Sequence, residues 1–306
     1  MTFLRRGAIH LFRFAGIDLY LHWSWFVVAA IEINYGFGNY SFAGWRVLEY
    51  VAIFVIVTMH EYGHALACRQ VGGTPDQIVL WPLGGIAYVN PPQRPGATLW
   101  SIAAGPLVNV ALVPVLLGVA FASRTLGWAA TMPNLYAFVH AVWDINLVLL
   151  VFNMLPIYPL DGGQILRSLL WFGLGRARSL QSAVWVGFIG GAGLILWALL
   201  SQSWWIGVIA AFVLFNCWNG LQHAQALARI AKLPRRTGYA CPSCHAAPPI
   251  GRFWLCGLCR QPFDMFEYRA ICPNCSAHFS TTRCLDCGVL QPASEWSAEA
   301  PFLART

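Results

Sequence analysis

Val47-Leu-Glu-Tyr-Val-Ala-Ile-Phe-Val-Ile-Val-Thr-Met-His60-Glu61-Tyr62-Gly63-His64-Ala-Leu-Ala-Cys68 is an almost wholly apolar run whose only charged side chains are Glu49 and Glu61. Read as a helix, it projects His60 and His64 from one face, because positions four apart lie one above the other. Two imidazoles at that spacing can share one Zn²⁺, and the glutamate beside the first can take a proton from water at the metal. The bland alternative is a pair of helix histidines satisfied by their neighbours. Burying His-Glu-His in an apolar run without a purpose is costly, since each group gives up its water.

Working outward, the composition explains the run. Of 306 residues 58% are hydrophobic and only 10% charged, with a mean hydropathy of +0.57. Soluble domains carry about 25% charged residues, so a soluble chain is excluded and an integral, multi-pass membrane protein is expected. The 15 Trp and 10 Tyr suit interfacial belts. The formal charge of +7 comes almost entirely from arginine.

Six spans are expected, at about Leu19 to Ile33, Val47 to Cys68, Thr98 to Ala122, Leu135 to Leu155, Ser182 to Leu200 and Trp204 to Leu227. The apolar stretch from Thr74 to Pro92 is different. Its prolines and glycines forbid a long helix, and Gln77 to Val89 reads as two short strands around a Gly84-Gly85 turn. Extended backbone at membrane depth is tolerated where protein or a cavity covers it, which a re-entrant hairpin beside the histidines would satisfy. Gly16-Ile17-Asp18, before the first span, reads as a strand or turn.

Charge placement gives an orientation. With a cytoplasmic N-terminus, twelve cations (Arg5, Arg6, Arg13, Arg69, Arg94, Arg167, Arg176, Arg178, Arg229, Lys232, Arg235 and Arg236) fall inside, against Arg46 and Arg124 outside. The histidine pair then sits near the cytoplasmic end of the second span, and the cysteine-rich C-terminal tail lies in the reducing cytosol. A bacterial inner membrane is the expected home.

A second motif follows the fourth span: Asn153-Met-Leu-Pro156-Ile-Tyr-Pro159-Leu-Asp161-Gly162-Gly163-Gln-Ile-Leu-Arg167. Alone it reads as an ordinary turn. Beside His60 and His64, Asp161 becomes a candidate third zinc ligand that leaves a position open for water. Together the two motifs resemble the site-2 protease family of intramembrane zinc metalloproteases, whose pattern is HExxH on one membrane helix and Asn-x-x-Pro…Leu-Asp-Gly at the end of a later one. Trp81-Pro-Leu-Gly-Gly85 is similar to that family's re-entrant hairpin, and Ala104-Gly-Pro-Leu-Val-Asn109 to its neighbouring helix. The resemblance covers roughly residues 10 to 230.

The resemblance implies an all-α polytopic fold of about six transmembrane helices with a re-entrant β-hairpin. It implies His60, His64 and Asp161 as ligands of one catalytic zinc, and Glu61 as general base. Asn109, Asn153, Gly84 and Gly85 are candidate substrate-binding positions, either Asn also being able to steady an oxyanion or simply to bridge helices. A transmembrane protein unwound into an extended strand, its partner in the bilayer, is the expected substrate. Members with a PDZ domain between the third and fourth spans differ from this chain, where Ser123 to Asn134 is too short to hold one. HExxH is not extended to the metzincin pattern, as Ala67 and Gln70 stand where Gly and His are required. A non-catalytic membrane zinc-binding or zinc-transport protein is the alternative, though it needs neither Glu61 nor the Asp161 turn.

Eight of the ten cysteines lie in four C-x-x-C hooks between Cys241 and Cys287. Cys241, Cys244, Cys256 and Cys259, then Cys272, Cys275, Cys284 and Cys287, read as two tandem zinc ribbons holding two structural zinc ions. A cross-braced pairing fits the same hooks, as does His245 or His278 replacing a thiolate. The expected domains are residues 1–236 for the membrane part, 237–290 for the zinc-ribbon module and 291–306 for a C-terminal tail. Nearly balanced charge argues against nucleic acid, so a regulatory protein or the substrate's cytosolic part is the expected partner of the module.

Overall fold

The computed structural model describes residues 7–35, 40–81 and 84–296. Two strands open the chain, β1 (Ala8–Phe14) and β2 (Ile17–His22), joined through Ala15 and Gly16, both at positive φ. Next come α1 (Trp25–Tyr35) and α2 (Ala43–Gln70), then β3 (Thr74–Trp81) and β4 (Gly84–Asn90). The four strands form one sheet in the order β1-β2-β3-β4, with β2 and β3 parallel and the outer pairs antiparallel. Parallel neighbours need a long crossover, which α1 and α2 supply. Ile78, Val79 and Leu80 of β3 are all buried, as a strand covered on both faces requires.

This sheet corrects the all-α expectation. Its signal is weak because β1 and β2 are short, and nothing local says that β2 pairs with β3, over fifty residues away. The turn at Gly84-Gly85 is also displaced. Both glycines belong to β4, opposite Leu80 and Trp81, and the connection falls on residues 82–83, outside the described ones.

The helices that follow are α3 (Pro95–Thr125), the short α4 (Trp128–Thr131), α5 (Pro133–Met154), α6 (Asp161–Leu200) and α7 (Trp204–Ala231). Among the described residues, five helices, α2, α3, α5, α6 and α7, are long and apolar enough to cross a membrane. Their outward faces carry large bare apolar side chains such as Phe121, Ile189 and Phe215, which suits contact with lipid and not water. The expected first span is instead divided. Its first part is β2 and its remainder the 11-residue α1, about 16 Å long against a hydrocarbon core of about 30 Å. Strand and helix together run beside α2: Trp25 packs on Phe54, its carbonyl accepts a bond from the Tyr50 hydroxyl, and Ile17 and Leu19 join Val57, Tyr62 and Ala65 in one core. The expected fifth span begins earlier than its apolar run, at Asp161, and α6 breaks at Gly175, where φ is 76°.

Beyond α7 the chain forms a small module of two hairpins, β5 (Trp254–Leu255) with β6 (Pro262–Phe263) and β7 (Thr281–Arg283) with β8 (Leu290–Pro292), closed by a 3₁₀ turn at Ala293–Trp296. Trp296 is buried in its core, so the fold runs past the expected boundary at 290. The chain around the expected boundary at residue 236 is tied down as well. Arg236 N–H donates to the Pro248 carbonyl and Ile250 N–H to that of Pro234. Arg235 grips Asp286 with both terminal nitrogens, at 2.6 and 3.0 Å.

Candidate metal centre and its surroundings

The site starts from α2, which turns His60, Glu61 and His64 inward; all three are buried. Asp161 reaches them from the far end of a broken path. Pro156 and Pro159 cannot continue α5, so the chain turns back and α6 starts with Asp161 as its first residue. Gly162 follows because a Cβ there would overlap the Met154 and Leu155 carbonyl oxygens. The turn that looked ordinary in isolation therefore delivers a carboxylate to α2.

Three donor atoms converge. Asp161 Oδ2 lies 3.0 Å from His60 Nε2 and 3.4 Å from His64 Nε2, and the two Nε2 atoms are 3.1 Å apart. Together these residues could hold a metal ion. The opposite ring nitrogens are already engaged, His64 Nδ1 with the Ser101 carbonyl oxygen at 2.9 Å and His60 Nδ1 with Asn109 Oδ1 at 2.6 Å. With both Nδ1–H groups donating, each Nε2 keeps its lone pair toward the cluster. Glu61 stands within electrostatic reach of His64.

Backbone packing makes the room. A Cβ on Gly105 of α3 would overlap His64 Nε2 and come within 2.8 Å of His60 Nε2, filling the space beside both nitrogens. Ala104-Gly105-Pro106 is thus the wall of the cluster, and only a bare α-carbon fits there.

The remaining expected positions are distributed differently. Asn109 is fully buried behind His60, with its Nδ2 donating to Asn146 Oδ1 at 2.8 Å, so it does not face open space where substrate would lie. Asn153 is half-buried in the last turn of α5, and Gly84 and Gly85 lie on the end strand of the sheet. Sequence reading did not find Asn146, Ser101 or Gly105. Asn146 alone carried a signal, as an amide inside an apolar span.

In the module, sulfurs group as Cys241, Cys244, Cys284 and Cys287, and as Cys256, Cys259, Cys272 and Cys275. The first hook joins the fourth and the second joins the third, which replaces the tandem arrangement. Within each group, sulfurs from opposite hooks lie 3.5 to 3.8 Å apart. All four hooks fold alike. In each, the residue after the second cysteine has positive φ and its N–H returns to the first cysteine's carbonyl. Neither His245 nor His278 joins either group. A bond from Cys284 draws the Cys244 thiol down to about 5, while burial pushes Cys287 up to about 11. Asp264, in the module's core, meets an opposing penalty from burial, yet three backbone N–H groups and Arg236 hold it below the usual carboxylate range.

The chain is similar to known proteases. The profile of peptidase family M50 matches residues 49–132 and 127–197, which contain the histidine pair and Asp161. A zinc metalloprotease of Methanocaldococcus jannaschii is 32% identical over 210 residues, 68% of this chain and 59% of that protein, so the chain spans less than two thirds of its relative's length. The solved site-2 protease from the same organism superposes with a TM-score of 0.53 at 29% identity, covering 70% of this chain and 95% of that one. The family profile ends at residue 197, before the four-hook module. On the profile match, the metalloprotease relative and the solved site-2 protease, the chain belongs to peptidase family M50, the site-2 proteases.

Proposed function

We propose that this chain is a zinc-dependent intramembrane endopeptidase that hydrolyses a peptide bond in or near a transmembrane helix of a membrane-protein substrate. One observation carries the reading: two histidine nitrogens and one carboxylate oxygen lie within 3.4 Å of one another beside a buried glutamate, inside helices long enough to span a bilayer. The donor set suits zinc, since two His and one carboxylate leave a fourth tetrahedral position open. Gly105 supports the same conclusion by leaving empty the space an ion needs.

His60, His64 and Asp161 would hold the catalytic ion. When bound, zinc supplies a Lewis acid that polarises the scissile carbonyl and makes water easier to deprotonate. Glu61 takes the proton from the attacking water and gives it to the leaving amine, a general base and then a general acid. Burial of His60, Glu61 and His64 keeps bulk water from these charges, which strengthens each interaction. A helical substrate hides its carbonyls and must unwind before attack. We assign the β3–β4 hairpin as a re-entrant element whose edge pairs with the unwound segment, with Gly84, Gly85 and Asn153 alongside it.

Further parts of the reading rest on charge and chemistry. The arginine distribution supports a cytoplasmic N-terminus and module, and a bacterial inner membrane is the home we assign. Two structural zinc ions in the four-cysteine groups would supply the module's folding energy. The module then serves a regulatory protein or the substrate's cytosolic part.

The test is cleavage of a single-span reporter in membranes by the full chain and by Glu61→Gln. A fall of about 10²–10⁴-fold with metal retained is expected. Equal cleavage by the variant would sink the mechanism.

A further inference from the structure

The two histidines are held by unequal means. His64 gives its Nδ1–H to a main-chain carbonyl, that of Ser101, which no side-chain replacement removes. His60 gives its own to a side-chain amide, Asn109 Oδ1, at 2.6 Å. An amide can turn over and present nitrogen instead of oxygen, so something must hold Asn109 in place. Asn146 of α5 does so from both sides. Asn109 Nδ2 donates to Asn146 Oδ1 at 2.8 Å, and Asn146 Nδ2 donates back to the Asn109 main-chain carbonyl at 3.2 Å. Both asparagines are fully buried.

The donors therefore run in one direction, from His60 to Asn109, from Asn109 to Asn146, and from Asn146 to a backbone oxygen that cannot flip. Reversing either amide opposes donor to donor and acceptor to acceptor, at a high cost away from water.

We propose that Asn109 and Asn146 are positioning residues that fix His60 as its Nδ1–H tautomer and aim Nε2 at the metal. The inference deepens the metal-site reading and rests on it. Partners of this kind orient ligating histidines and raise their basicity, and losing one typically costs 10–100-fold in metal affinity. Asn146 never touches the ion; it acts through Asn109. The competing role, a polar bridge between α3 and α5, would affect stability and leave metal affinity alone.

Cobalt titration of the purified full chain under chelator competition separates these roles. Cobalt held by nitrogen and oxygen lacks the sulfur charge-transfer absorption of cobalt in the module, so that absorption counts the module's cobalt, and total bound cobalt less that count gives the membrane site. Asn109→Leu and Asn146→Leu should each weaken that site about 10–100-fold, and the double variant no more than Asn109→Leu alone. Asn109→Asp, which keeps an acceptor for His60, should stay within a few-fold of the parent. Thermal melting without added metal reports folding separately. If a Leu variant does not fold, Asn146→Ser carries the same expectation with less disturbance. Parental affinity in the folded Leu or Ser variants overturns the inference, whatever their melting. A parent with no nitrogen-and-oxygen cobalt site overturns the metal-site reading itself.

Discussion

His60 Nε2 and Asp161 Oδ2 stand 3.0 Å apart although 101 residues separate them in the chain. Neither α2 nor α6 holds three donors alone. The candidate metal centre exists only where α3 brings the other two helices together.

Asp161→Ala should therefore remove one equivalent of metal per chain and abolish cleavage. The four-cysteine groups do not use Asp161, so their metal content should be unchanged. Metal analysis with thiolate-bound and other ions counted separately checks this. Full metal content in the variant would contradict the assignment.

Gly105→Ala adds a single methyl at the wall of the cluster. The new Cβ would overlap His64 Nε2 and approach His60 Nε2 to 2.8 Å, forcing α3 or an imidazole to move. Overpacking of this kind costs about 1–3 kcal/mol of stability. Metal affinity at the membrane site should fall at least tenfold, measured by chelator competition. The equivalent change at Gly118, where a Cβ meets nothing within 4 Å, should be silent.

Cysteine pairs distinguish the nested arrangement from the tandem one. Cys241→Ser with Cys284→Ser strikes one group twice, and one structural metal should be lost. Cys241→Ser with Cys256→Ser strikes both groups, and both should go. Tandem ribbons would give the reverse. Metal stoichiometry by mass spectrometry of the intact chain decides.

Asp264 gives the module a dependence on pH. Its folded-state pKa is depressed, so its contribution is present above the unfolded value of about 3.9 and is lost as pH falls through the lower, folded value. Asp264→Asn should expose residues 251–270 to faster amide exchange at neutral pH, with a penalty of about 1–3 kcal/mol for the unmet donors. That gap between parent and variant should narrow below about pH 4. A gap independent of pH would show that ionisation plays no part.

Legibility in the sequence followed the range of the interaction. His60 and His64 were readable because helix geometry alone sets four-residue neighbours on one face. Asp161 was readable because prolines and glycines write a turn into the local sequence. The β2–β3 pairing was not, since Ile17 to His22 is a short strand followed by a helix, and its partner strand is set by the crossover. Asn109 was seen, but its partners were not. A single sequence shows an amide in an apolar helix and says nothing of which neighbour it meets. The cysteine grouping failed for another reason: four hooks of one local shape carry no mark of which belongs with which.

That nesting has a consequence for how the module assembles. The inner pairs, Cys259 with Cys272 and Cys256 with Cys275, close loops of 13 and 19 residues, whereas the outer pairs, Cys244 with Cys284 and Cys241 with Cys287, span 40 and 46. Short loops are entropically easier to close, and once the inner hooks are joined the outer ones face each other across a hairpin already formed. The module should zip from its centre toward the membrane helix, with the clasp at Arg235 and Asp286 last to engage.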